Sequence, residues 1–108
     1  MWIGCDIVKM DRIQDPASLA FRILSPQEYE RFQSYSHHRQ IEFLAGRFAA
    51  REAIIKALPV ELKIKEIVVE PKTMILYQGY QIQVSIAHDG DYAMATALVQ
   101  KEKSHEVD

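Results

Sequence analysis

Ile41-Glu42-Phe43-Leu44-Ala45-Gly46-Arg47-Phe48-Ala49-Ala50-Arg51-Glu52-Ala53-Ile54-Ile55-Lys56-Ala57-Leu58, closed by Pro59, decides the fold. Ile41, Leu44, Ala45, Phe48 and Ile55 recur at helical spacing and form one apolar stripe. Phe43, Ala50, Ile54 and Ala57 form a second apolar face on the opposite side. The pattern predicts a long helix from His38 to Leu58, ended by the proline. A helix apolar on two sides needs cover on both, from a sheet and from another helix or subunit. Gly46 within it costs about 1 kcal/mol relative to alanine, which points to a close packing contact there.

On either side of this helix the signals are shorter. Residues 2–8 (Trp2 to Val8) read as a strand interrupted only by Asp6. Asp15-Pro16 supplies an N-cap and a first-turn proline for a short helix to about Leu24. Ser25-Pro26-Gln27-Glu28 has the spacing of a capping box, opening a second helix that fades near Ser36. After Pro59 the period changes to two. Ile64–Val69 and Met74–Tyr77 read as strands, with Gln78-Gly79 as a turn. Tyr80–His88 and Tyr92–Val99 read as a hairpin turning at Asp89-Gly90. Ala93, Ala95 and Ala97 share a face, which suits a helix packed close against that strand. The expected architecture is α+β: a long central helix on an antiparallel sheet, one domain over residues 1–100, with a polar tail at 101–108.

The 108 residues are 48% apolar and 26% charged with a formal net charge of −2. These values suit a soluble globular domain and disfavour nucleic acid as a partner. No apolar run approaches the roughly 20 residues of a membrane span. Cys5 is the single cysteine; it has no intrachain disulfide partner and is expected to be a buried, inert thiol. An acid at position 6 comes too early for a signal peptide. Together these lead to the expectation of a cytoplasmic protein.

Two carboxylates break the apolar pattern. Glu52 projects near the middle of the Ile41–Ile55 stripe, where an uncompensated charge is costly. Lys56 follows at i+4, a favourable ion-pair spacing. A structural ion pair at the core edge accounts for Glu52 as well as a metal site does. Asp6 is out of place among Gly4, Cys5, Ile7 and Val8, since aspartate is depleted in strands. Paired with Glu52 it would present two hard oxygen ligands suited to magnesium; alone it is a strand-end cap. His88 ends a strand before a tight turn, a place that suits either a functional or a structural histidine. His37-His38 read as surface residues. No Walker or dinucleotide phosphate loop, zinc spacing or serine-nucleophile elbow is present.

Gly4-Cys5-Asp6-Ile7-Val8 with Asp11-Arg12-Ile13 resembles the opening of the holo-acyl-carrier-protein synthases. Arg22-Ile23-Leu24-Ser25-Pro26, the run Glu42 to Ala53 with Lys56-Ala57-Leu58, and Val84 to His88 with Asp91-Tyr92-Ala93 resemble its later blocks in order. The resemblance implies a small trimeric 4'-phosphopantetheinyl transferase with sites at subunit interfaces. It would move phosphopantetheine from coenzyme A to a serine of apo-acyl carrier protein and release adenosine 3',5'-bisphosphate. By the same resemblance Asp6 and Glu52 hold Mg2+, and Arg47, Lys56 and His88 contact the coenzyme. Glu52, Lys56 and His88 act in catalysis, and Arg12 and Arg22 dock the acidic carrier. The chain departs from the family pattern at Pro59-Val60-Glu61, where a glycine-containing loop is usual. It also lacks the usual Gly-Lys-Pro, and Ala87 stands where a hydroxyl residue is common. These departures suit an alternative, a non-catalytic homologue that binds coenzyme A or carrier. A purely structural assembly domain is a further reading, but it leaves Asp6 and His88 unexplained.

Overall fold

A computed structural model describes residues 1–103 of the chain. Its order is β1 (Trp2–Lys9), α1 (Pro16–Ile23), α2 (Pro26–Ser34), α3 (His37–Ala57), β2 (Ile75–Tyr77), β3 (Tyr80–Asp89) and β4 (Tyr92–Lys101). Short 3-10 turns lie at Met10–Arg12 and Ile64–Glu66. The four strands form an antiparallel sheet in the order β1-β4-β3-β2. The expected tail begins within β4, which runs to Lys101; its last residues, 104–108, lie outside the described residues.

The helices begin where their caps direct. The Asp15 side chain accepts from the Ser18 N–H, and Pro16 occupies the first turn of α1. Ser25 and Glu28 form the reciprocal capping box that starts α2. α3 lies across one face of the sheet, and Ala93, Ala95 and Ala97 of β4 are buried beneath it. Small residues allow the close approach. Gly4 shows how close: a Cβ there would stand 2.2 Å from the Ala53 carbonyl oxygen. A Cβ on Gly46 would meet Ile86 at 3.0 Å and the His88 ring at 3.3 Å, so a tight contact does occupy this position.

α3 also covers a second, smaller core. Ala20, Ile23, Leu24 and Phe32 from α1 and α2 pack on Phe43 and Leu44. The half-buried Ile13, Phe48 and Ile64 join this cluster to the sheet-side core. Each fully buried Phe, Leu or Ile contributes about 1.5–3 kcal/mol, so both apolar faces of α3 stabilise the fold.

Three local expectations change. Ile64–Val69 is a 3-10 turn followed by extended chain, not a strand. Its backbone groups are taken by side chains: Arg51 donates to the carbonyls of Ile64 and Ile67, and Val69 N–H donates to Glu28. No neighbouring strand is needed. The β3–β4 turn falls at Gly90-Asp91, one residue later than expected, because Asp89 pairs with Tyr92 and Gly90 supplies the positive φ of 57°. Cys5 is exposed rather than buried. Strand alternation turns Ile3, Cys5 and Ile7 to the sheet face opposite α3, which no other element of the described residues covers.

Candidate active site

β1, the turn after it, α1 and the C-terminal half of α3 enclose a cleft of about 580 Å³. Asp6 enters it from β1 and Glu52 from α3. The strand and helix that bring them together are tied by the Gly4–Ala53 approach. Arg12 and Arg22 line the same cleft, and Ile13, Leu19 and Phe48 supply its apolar surface. The cleft therefore offers three carboxylates, two guanidinium groups and an apolar wall to one ligand, with Asp15 already engaged as the α1 cap.

Glu52 is half-buried, not enclosed in the core. The stripe it belongs to is covered at Leu44 and Ala45, half-covered at Phe48, and exposed at Ile55. Its apolar surface thus opens into the cleft at the level of Glu52. The expected Glu52–Lys56 pair is absent. Lys56 Nζ instead donates to Asp6 Oδ1 at 3.1 Å and to the Cys5 carbonyl at 3.0 Å. Lys56 is about half exposed, and such a pair adds at most about 1 kcal/mol to stability. Its consequence is positional: a cation is fixed beside Asp6 at the cleft margin.

Two other site candidates lie elsewhere. The His88 ring packs on Gly46, and Nε2 lies 2.9 Å from the Glu42 carbonyl oxygen. A carbonyl only accepts, so Nε2 carries the proton in this contact. His88 lines a separate hollow with Ile7, Tyr92 and Met94. Arg47 is buried with its guanidinium over the Phe43 ring at 4.3 Å, and its Nε has no hydrogen-bond partner. Burial and the nearby charge of Arg31 lower the Arg47 pKa.

Sequence reasoning missed the most buried charges. Arg51 donates through Nη1 to Glu28 Oε2 at 3.2 Å and through Nη2 to Glu28 Oε1. Both side chains are essentially inaccessible. Burial works against ionised Glu28, but the bonds and charge of Arg51 and the bonds from Ser25 outweigh it and lower the carboxyl's pKa. The signal was partial: on the helix Arg51 projects between Phe43 and Leu44, two apolar positions, where a covered cation requires a buried acceptor.

Residues 3–97 match the family model of the 4'-phosphopantetheinyl transferase superfamily. The chain belongs to that superfamily. Within it, a holo-[acyl-carrier-protein] synthase of Staphylococcus aureus (strain Newman) is 39% identical over 113 aligned positions, covering 92% of this chain and 94% of the relative. Among solved structures, a holo-(acyl-carrier-protein) synthase from Bacillus anthracis str. Ames in complex with CoA (3',5'-ADP) superposes with a TM-score of 0.81 at 28% identity. That match covers 94% of this chain and 96% of the other. The Helicobacter pylori holo-[acyl-carrier-protein] synthase in complex with coenzyme A gives 0.71 at 26% identity, over 91% of this chain and 99% of the other. The α+β architecture is that of these synthases, and the chain is an enzyme of the 4'-phosphopantetheinyl transferase class.

Proposed function

We propose that this enzyme transfers the 4'-phosphopantetheine arm of coenzyme A to a serine hydroxyl of apo-acyl carrier protein. Adenosine 3',5'-bisphosphate leaves, and Mg2+ is the cofactor. The observation that carries the proposal is the meeting of Asp6 and Glu52 in one cleft with Arg12 and Arg22. Among the described residues no group of three or more His, Cys, Asp or Glu side chains gathers as a metal cage. Two carboxylates fit magnesium, which takes one or two from the protein and completes its shell with water and phosphate oxygens. Bound there, it would neutralise pyrophosphate charge.

The chain's own residues have distinct parts in this reading. Lys56, held beside Asp6, stabilises negative charge growing on the leaving bisphosphate. Glu52 accepts the proton of the attacking serine hydroxyl as the new P–O bond forms and the bond to the leaving phosphate breaks. Arg12 and Arg22 dock the acidic carrier at the rim. Arg47 and His88 contact the phosphates of the coenzyme.

Neither Arg47 nor His88 lines the Asp6–Glu52 cleft, so a coenzyme touching both regions fits a site completed by a second copy of the chain. The uncovered sheet face, with Ile3, Ile7 and Met94 exposed, supports self-association. We assign this assembly as a homotrimer, in the cytoplasm. Among the described residues no helix is long and apolar enough to cross a membrane.

A magnesium titration with a fluorescent coenzyme A analogue and apo-acyl carrier protein tests the reading. Labelling is expected to stop with chelator, return with magnesium, and require more magnesium for Asp6→Asn. Analogue binding without labelling at any magnesium concentration would favour the non-catalytic homologue.

A further inference from the structure

The buried Arg51 guanidinium joins four parts of the chain. Nε donates to the Ile64 carbonyl at 2.9 Å and Nη2 to the Ile67 carbonyl at 3.1 Å. The two Nη groups grip both oxygens of Glu28. Glu28 Oε1 in turn accepts from the Ser25 backbone N–H at 3.0 Å and its hydroxyl at 2.8 Å. Ser25 forms the elbow between α1 and α2, three residues after Arg22. The Ile64–Glu66 turn held by Arg51 also touches α1, where Lys65 lies over the Phe21 ring at 4.7 Å. Arg51 therefore grips α1 from both sides, through the elbow and through the turn, while standing next to Glu52 on α3.

From this connectivity we propose that Arg51 is a positioning residue for the transferase: it sets the α1 wall of the cleft, with Arg22, at a fixed distance from Glu52. The proposal rests on the carrier-docking reading of Arg22 above. Asp6 and Lys56 belong to β1 and α3 and are not held through this clamp, and Arg51 reaches Arg47 only at its backbone carbonyl, by a long bond of 3.4 Å from Nη1 within α3. Loss of the clamp thus acts on use of the carrier far more than on coenzyme A. A pair kept only for stability would behave otherwise, since replacing both members of a buried ion pair with apolar residues is often neutral or stabilising.

The test is the double variant Glu28→Met/Arg51→Met, which strands no charge. It is expected to fold, to raise the KM for apo-acyl carrier protein about tenfold, and to leave the KM for coenzyme A within about twofold. Arg22→Ala is expected to add less to the carrier KM in this background than in the wild type. Hydrogen exchange of the α1 amides is expected to quicken in the folded double variant. A folded double variant with the wild-type carrier KM and wild-type α1 protection overturns the proposal.

Arg51→Lys provides the second test if the double variant does not fold. Its single ammonium lacks the planar fork that reaches Glu28, Ile64 and Ile67 together. About a threefold rise in carrier KM is expected, and an unchanged KM with unchanged α1 exchange overturns the proposal. If wild-type protein transfers nothing to the carrier, the functional reading has failed. The exchange measurement still decides whether Arg51 holds α1.

Discussion

Gly4→Ala places one methyl group where the backbones of β1 and α3 are in contact. The added Cβ would stand 2.2 Å from the Ala53 carbonyl oxygen, 3.1 Å from Ala57 N and 3.2 Å from the Ala53 carbonyl carbon. Ordinary contact begins near 3.4 Å, so strand and helix must separate by about 1 Å at this point. All three neighbours are backbone atoms, and no rotamer change relieves the overlap. Overpacking a core costs about 1–3 kcal/mol, and the rigid neighbours place this variant near the upper end. For a domain of this size about 3 kcal/mol lowers Tm by roughly 12–24 °C. Asp6 is two residues further along β1, so the same displacement moves its carboxylate relative to Glu52. A 1 Å misplacement costs on the order of 100-fold in rate, which predicts a comparable fall in transfer by the folded fraction. Thermal melting and transfer assays at a temperature where the variant is folded measure both effects. Gly79→Ala is the control, because nothing lies within 4 Å of its Cβ and only its φ of +86° resists the change. A Gly4→Ala protein with wild-type Tm and wild-type activity would refute the proposed contact between strand and helix.

Glu28 predicts an acid-dependent loss of stability. Its bonds to Arg51 and Ser25 hold its folded pKa below the ordinary glutamate value, so its contribution is fully present above the unfolded pKa and disappears as pH falls through the folded one. Urea midpoints are expected to fall with pH below about 4.3, the ordinary glutamate value, and less steeply in Glu28→Gln; equal slopes for the two proteins would contradict the assignment. Lys56→Met is expected to leave Tm nearly unchanged, because its ion pair is exposed, while transfer falls at least about 100-fold. Wild-type turnover by this variant would remove Lys56 from the mechanism. Tyr77 Oη accepts from Lys63 N–H at 3.0 Å and donates to the Glu61 carbonyl at 3.2 Å, fastening the segment after α3 to β2. Tyr77→Phe is expected to cost about 1–3 kcal/mol by denaturant unfolding, and a cost near zero would mean that water replaces both bonds.

How far each feature was legible depended on whether its cause was local. α1 and α2 announce themselves through Asp15-Pro16 and Ser25-Pro26, whose capping bonds form within three residues. α3 is legible because its apolar residues repeat with the helical period on two faces. Ile64–Val69 has strand-like residues, but the side chains that capture its backbone come from Arg51 and Glu28, distant in sequence. Cys5 and Ile7 alternate correctly with Gly4 and Val8, yet alternation does not reveal which sheet face is covered. The oddity of Asp6 and Glu52 was visible in their apolar settings. Their shared cleft was not, because it depends on how closely Gly4 lets β1 approach Ala53. Lys56 had two carboxylates available, and the spacing rule favoured Glu52 over the more distant Asp6 that it bonds.

Intact-mass analysis of apo-acyl carrier protein, incubated with this enzyme, coenzyme A and magnesium, tests the central claim most directly. The carrier is expected to gain the mass of one phosphopantetheine, and the gain is expected to vanish with Asp6→Ala or Glu52→Ala. An unchanged carrier mass while coenzyme A remains bound to the wild-type enzyme would contradict the account.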